Sequence, residues 1–411
     1  MEQQERRTRR RRTRKAFAIS LPRKWFIVAG IAILCVLVLL AVLLWTKDTP
    51  GDGSENTPPA PDTVIHLVAG GDINITDASV EAGSASGGYD YQQVFKDVLP
   101  ILAGADVTVL NFEGVCSGNA YGSETKAAPK ELLAALKNAG VDILQTANSY
   151  PLVDGHRGLV STIRAIENAG MTPLGTYETK ADFKESGGYI IWEIQGIKVA
   201  MMAFTKGMMD IKGDYMGAPA VSEDCINLLY ENNDNTYQKI NTDGITRVVR
   251  NAAAHDPDVM IALVHWGSEL NNQISKTQKK ICTLLQEEGV DAIIGTHPHY
   301  VQKMELDGET GNFVAWSLGD FYGDGTTAGT EYSVLLDLEI TKDGQSGETK
   351  VTGFSYTPIF VEKGEEGALR LLRINEAIAG YENRYLDRVS EETYKAMQTA
   401  LSRIKSRVSG K

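Results

Sequence analysis

The chain has 411 residues, 43% apolar and 23% charged, with only 13 Pro, which excludes wholesale disorder and the collagen-like and low-complexity classes. Its net charge is −12, but residues 1–24 carry ten Lys/Arg against Glu2 and Glu5, a local +8 that leaves −20 on the remainder. So acidic a chain lacks the basic face that neutralises phosphates, which excludes nucleic acid as a partner, and four Cys are too few for a disulfide scaffold.

Residues 25–45, WFIVAGIAILCVLVLLAVLLW, are 21 consecutive uncharged residues. As a helix rising about 1.5 Å per residue they span roughly 31 Å, enough to cross a bilayer. The basic tract 6–15 with Arg23 and Lys24 precedes the run, and Trp25 and Trp45 bound it as interfacial aromatics do. The sequence therefore predicts a single-pass anchor in the cell membrane, with residues 1–24 as a cytoplasmic tail and everything beyond 45 outside. A cleaved signal peptide would have a shorter apolar region and a small-residue cleavage site, which WTKDTPG does not offer. Residues 46–62, rich in Pro, Gly and acidic residues, read as a tether. A folded domain is expected over 63–362 and a helical extension over 363–411.

Within the domain one local pattern recurs: a helix-like stretch ending in Gly or Pro, an Asp, a short apolar run, then polar residues and Gly. The copies are 103–114, 139–150, 256–269 and 288–299, and LVAGGDINIT at 67–76 is the same device. Short apolar runs bounded by turn signals read as buried strands of βα units, with polar residues delivered to the carboxyl edge of one sheet. Between them, 130–140 is spaced as an amphipathic helix closed by Gly140, and Ser275 with Gln278 has capping-box spacing for a second. YIIWEIQ (189–195) and IKVAMMAF (197–204), split by Gly196, read as a hairpin; FVAWSL (313–318) and YSVLLDLEI (332–340) read as further strands. From Ser390, Tyr394, Met397, Leu401, Ile404 and Val408 make one helical stripe expected to pack on the domain. Cys116, Cys225 and Cys282 read as buried small apolar residues, with one Cys116–Cys225 bridge as the alternative.

The strand ends gather Asp72, Asn111, Glu113, Asn148, His265, His297 and His299. Imidazoles with carboxylates and an amide oxygen suit a pair of divalent borderline metals such as Mn, Zn or Fe. In HPH, two imidazoles would lie on one side of a locally extended segment. His66 and His255 read as ordinary core or surface histidines, and His156 as the start of a helix. Phe112, Trp266, Tyr300 and Phe321 would either line the site or belong to the core.

In order along the chain, GD (71–72), NFEG (111–114), AN with a downstream DG (147–155), HWGSE (265–269), GTHPHYVQ (295–302) and SLGDF (317–321) resemble the capsule-synthesis CapA family. The resemblance covers roughly residues 63–325. It implies a calcineurin-like metallophosphatase fold, a layered α/β sandwich with mixed sheets, and a role in poly-γ-glutamate capsule production. By it Asp72, Glu113, Asn148, His265, His297 and His299 match metal-binding positions. Asn111, Trp266 and Glu269 are expected to meet substrate, and the partners to be an anionic polymer or its precursor and other membrane-bound capsule-synthesis proteins.

Two departures bear on activity. The family's ANNH reads Ala147, Asn148, Ser149, Tyr150 here, and its SLGNF has Asp320 in place of the amide. A histidine proton donor contributes about 10²- to 10⁴-fold in rate, and a Tyr hydroxyl with an ordinary pKa of about 10 is a poor replacement near neutral pH. Tyr150 and Asp320 are thus the positions on which chemistry turns. Three roles follow: a surface hydrolase of a phosphoester or amide, a capsule factor that holds an anionic chain at metals, and a structural ectodomain whose histidines bind nothing.

Overall fold

The structure is a computed structural model describing residues 60–364, 367–384 and 389–410. The expected tail, anchor and most of the tether lie outside the described residues, and among those described no helix is long and apolar enough to cross a membrane.

Two mixed sheets form the frame. The first is built on β1 (Thr63–Asn74), which runs parallel to β2 (Val107–Glu113), β3 (Ile143–Gln145) and β4 (Thr172–Leu174) on one side. The second has β5 (Tyr189–Ile194) antiparallel to β6 (Ile197–Thr205), then parallel β7 (Val259–His265) and β8 (Ala292–Thr296). It is completed by the antiparallel pair β9 (Met304–Leu306) and β10 (Phe313–Ala315), with β10 parallel to β8. The chain then returns to the first sheet through β11 (Asp320–Tyr322), parallel to the end of β1. β12 (Tyr332–Lys342), β13 (Thr349–Lys363) and β14 (Leu369–Arg373) follow as an antiparallel run, with β12 against β1.

The recurrent strand pattern thus serves two sheets, not one. Short parallel strands buried on both faces carry no mark of which sheet they join, so the expected single edge is two edges brought together. The hairpin expected at 189–204 is β5 and β6. The region beyond 363 is not helical throughout, since β14 extends the first sheet before helices Ile374–Glu382 and Glu391–Val408.

Strand alternation builds the layers. Leu67, Ala69 and Val109 of the first sheet meet Val199, Met201, Ile261 and Ile294 of the second in one core between the sheets. Val68, Leu110 and Leu144 face the other way, against Leu132, Leu133 and Leu136 of α1 (Lys130–Asn138). On the far side of the second sheet, Ala200, Ala262 and Ile293 pack on α2 (Thr242–Ala253) and α3 (Lys276–Glu287). The Ser275–Gln278 capping box is formed. Met397, Ala400, Ile404 and Val408 of the last helix are buried against the central core, and its Arg407 guanidinium lies 4.8 Å from the Tyr300 ring centroid, next to His299. Cys116, Cys225 and Cys282 are free and buried.

One contact sets the geometry at the edge. The Asp72 amide donates to the Gly319 carbonyl at 3.0 Å where β1 and β11 converge, and a Cβ on Gly71 would lie 1.7 Å from that same oxygen. Because the obstacle is backbone, it cannot rotate away. Gly71→Ala is expected to destabilise the domain by about 3 kcal/mol, the upper end for overpacking. Denaturant unfolding of metal-free protein measures this, and an unchanged midpoint would contradict the contact.

Candidate metal centre

Each acidic or imidazole group of the cluster except Asp320 sits at or just past a strand's carboxyl end. Asp72 closes β1, Asn111 and Glu113 close β2, Asn148 follows β3, His265 closes β7, His297 and His299 follow β8, and Asp320 opens β11. Asp72, Glu113, Asn148, His265 and His297 are at most 1% exposed, Asp320 3% and His299 8%.

Asp72 is held from three directions: Asn111 Nδ2 donates to its Oδ1 at 2.6 Å, the His297 amide to its Oδ2 at 3.1 Å, and its own amide is taken by Gly319. His299 Nδ1 lies 2.6 Å from Asp320 Oδ1 and 3.5 Å from Asp72 Oδ2. On the other side, His265 Nε2 lies 3.3 Å from Glu113 Oε1 and 2.9 Å from Ser149 Oγ, and its Nδ1 lies 3.1 Å from Thr296 Oγ1. Two three-residue groups result in which one ligand atom from each residue lies within 4.8 Å of the others: Asp72, His299, Asp320 and Glu113, His265, His297. Glu269 forms a third such group with His297 and His299, and it is exposed, so it stands at the mouth.

Both Glu113 oxygens and His297 Nδ1 are buried without a hydrogen-bond partner. Orphaned polar atoms of this kind cost about 1–3 kcal/mol each, more when charged, and three of them in an N/O donor set fit divalent metals. The electrostatics agree. Burial, reinforced by Glu113, pushes the Asp72 carboxyl well above its usual range. Burial would also raise Glu113, but His265 and His299 outweigh it and hold that carboxyl low. Burial, with His265 and Lys206 nearby, holds His297 well below the ordinary histidine pKa. His299 goes the other way: burial would lower it, but Asp320, Glu113 and Asp72 raise it well above.

Several expected roles change. HPH is turned, not extended: His297 has φ 91° and His299 φ 57°, a left-handed backbone that non-glycine residues seldom adopt. Trp266 does not face substrate. Fully buried on the far side of its sheet, it stacks on Trp316 at 5.2 Å and donates its indole N–H to the Trp316 carbonyl at 2.9 Å. Asn111 is likewise interior, bridging Asp72 and Asn148. Asn148 presents Nδ2 to Asn111 Oδ1 and the Phe112 carbonyl, while its oxygen accepts the Tyr150 amide. Asp320, expected in a chemical role, stands with the ligand groups. Phe112 and Phe321 are core, and Tyr150 is half-buried with burial and Glu113 raising its hydroxyl further above its usual pKa.

Sequence reasoning passed over Ser149, Thr296, Lys126 and Lys206. Lys206 directly follows β6, the strand-end position that marked the others. It was hidden because β6 was read only as half of a hairpin.

Residues 66–325 match the family model for the bacterial capsule synthesis protein PGA_cap, more than half of the chain. The chain belongs to this family. It is 27% identical to the capsule biosynthesis protein CapA of Bacillus anthracis over 62% of this chain, and the match spans 59% of that protein's length. It is 26% identical to the PGA biosynthesis protein CapA of Bacillus subtilis over 78% of this chain and 79% of that one. Solved structures similar to it include a phosphatase from Mycoplasma pneumoniae (13% identity, TM-score 0.45, 72% of this chain and 94% of that one). Another is the calcineurin-like phosphoesterase YfkN of Bacillus subtilis (15% identity, TM-score 0.42, 82% and 100%).

The His299–Asp320 pair gives the metal-free PGA_cap domain a pH signature. A histidine raised by folding contributes stability that is fully present below its unfolded pKa of about 6.5 and is lost as pH rises through the higher folded value. Asp320→Asn removes the strongest cause of that shift. The stability difference between natural protein and Asp320→Asn, read by denaturant unfolding without metal, should therefore shrink from pH 6 toward alkaline pH. A difference that is flat or grows would show that His299 is not held protonated.

Proposed function

We propose that this chain is a membrane-anchored extracellular factor of poly-γ-glutamate capsule synthesis or export, whose buried cluster binds two divalent metals and holds an anionic polymer or its precursor there. The orphaned Glu113 oxygens and His297 Nδ1, buried among five further metal-competent groups, carry this reading. Asp72, His299 and Asp320 would hold one ion, and Glu113, His265 and His297 the other, with Glu269 at the mouth. Bound ions would supply local positive charge on a chain whose net charge of −12 otherwise repels a polyanion. The 21-residue apolar run and its basic flank support the anchor, with the domain outside and other membrane-bound capsule-synthesis proteins as partners.

A second reading, a surface metallohydrolase of a phosphoester or amide, is favoured by the adjacency of the two ligand groups, which share a mouth at Glu269, His297 and His299. A pair of divalent ions supplies Lewis-acid polarisation of the scissile phosphoryl or acyl group. The residues of this chain then supply little else: Tyr150 stands where a proton donor is wanted, and its raised pKa makes it a weak acid near neutrality.

Full-length protein is expected to retain about two divalent ions per chain, and His265→Ala and His297→Ala each to lower that number in elemental analysis. Unchanged metal in both variants would refute the cluster as a metal site. Protease added to intact cells should remove residues beyond the anchor and leave a membrane-embedded stub, whereas natural release of an intact domain would refute the anchor. Tyr150→His separates the two readings. If the protein is a weakened hydrolase, the change should raise turnover of a phosphoester with a poor leaving group about tenfold or more, with much less effect on one whose leaving group needs no proton. No turnover in either protein with metal bound leaves the polymer-holding role.

A further inference from the structure

Two lysines flank the cluster, and neither is paired with a carboxylate among the described residues. Lys206, 8% exposed, donates from Nζ to the Gly267 carbonyl at 3.0 Å, approaches His297 Nε2 at 3.2 Å and stands 4.3 Å from the Tyr237 ring centroid. Lys126, half-buried on the loop after β2, reaches the Ile75 carbonyl at 3.5 Å and stands 4.8 Å from the Tyr150 ring centroid. Its charge is felt at Glu113. Several other lysines pair with acids, as in Lys137–Asp142, Lys180–Asp224 and Lys342–Asp258. An ammonium taken out of water costs several kcal/mol unless something compensates. At these two positions carbonyls and aromatic faces do so only in part.

Valence arithmetic then gives Lys206 a second state. A neutral imidazole has one lone pair and one N–H. With His297 in the tautomer that carries its proton on Nδ1, the ammonium of Lys206, 3.2 Å away, donates to the free lone pair of Nε2. A metal at either ring nitrogen takes it, leaving the other nitrogen as a donor. Loading the cluster must therefore release a Lys206 N–H from His297 while the Gly267 carbonyl and the Tyr237 face still hold the amine nearby.

We propose that Lys206 and Lys126 form an anion clamp on either side of the metal cluster, with Lys206 made available by metal binding, and that the clamp reads the flanking negative groups of a chain lying across the metals. This rests on the reading of the cluster as a metal site that holds an anionic chain. The ligand chemistry is a row of anionic oxygens, supplied by the carboxylates of a γ-glutamyl chain or by phosphate.

The test uses full-length protein in detergent, loaded with Mn²⁺, with a γ-glutamyl decamer and inorganic phosphate as separate probes and metal content measured on every sample. Lys206→Gln and Lys126→Gln should each keep the metal and weaken decamer binding about tenfold, the loss of about 1.4 kcal/mol, with a shallower dependence on salt. Lys206→Arg should bind close to the natural protein. Without metal, decamer binding by Lys206→Gln should equal that of the natural protein, and a loss there would overturn the release of Lys206 by metal. Weakening of the decamer alone assigns the clamp to chain carboxylates, and weakening of phosphate as well assigns it to anionic oxygens in general. Unchanged decamer affinity in both Gln variants with metal retained overturns the clamp. Loss of metal in Lys206→Gln overturns the role of Lys206, and Lys126→Gln then decides the other half. Natural protein that holds metal but binds neither probe refutes the underlying anionic-chain reading, and the clamp with it.

Discussion

A single carboxylate ties the two sheets together at the edge where the chemistry lies. Asp72 ends β1, receives Asn111 from the neighbouring strand of its own sheet, and receives the His297 amide from the loop leaving β8 of the other sheet. Its own amide is taken by Gly319, which sets the start of β11 and hence the place of Asp320. The left-handed backbone at His297 and His299 follows from the same constraint: the loop must turn sharply to give its amide to Asp72 and return an imidazole to Asp320. The local strain is of the order of 1–3 kcal/mol per residue and persists only where the surroundings over-determine it.

The same arrangement makes the metal-free cluster electrostatically unfinished. Asp72, Glu113 and Asp320 are buried within reach of one another; His265, His299 and Lys126 answer the charge at Glu113, but at Asp72 and Asp320 His299 is the main compensating charge, while burial holds His265 and His297 below the ordinary histidine pKa. Replacing scattered protonation by divalent charge would resolve the conflict at several groups together. This is why the orphaned Glu113 oxygens weigh more than the ligand count: they mark where the protein's own donors run out.

Much of this was legible in the sequence, and what was not has a physical reason. The run VTVLNFE became β2 with every residue buried, and Asn111 and Glu113 arrived at the cluster as their place at the strand end implied. The Ser275 cap and the stripe from Met397 to Val408 were read from helical spacing alone. Sheet membership was not, because β2 and β7 are both short, fully buried and flanked by parallel strands, and only long-range pairing separates them. Trp266 was misplaced for a related reason. Its neighbour His265 faces inward, and the next residue along a strand faces the opposite way, into the outer core over Gly295, where a Cβ would lie 2.1 Å from the Trp316 carbonyl. Lys206 carried the right positional signal, yet its significance lies in the absence of an acidic partner, which only three-dimensional proximity reveals.

The two departures from the family pattern act in one electrostatic direction. A tyrosine at 150 withdraws a group able to carry a positive charge near neutral pH, and a carboxylate at 320 adds a negative one directly at His299. On the proposed metal-bound reading, the added carboxylate of Asp320 would bind divalent ions more tightly but leave them less net positive charge with which to polarise a bound group. Lys126, set over the Tyr150 ring, supplies positive charge at the rim. On the proposed reading, positive charge at the edge with only a weak acid, Tyr150, beside it would suit gripping a chain of carboxylates better than cutting it.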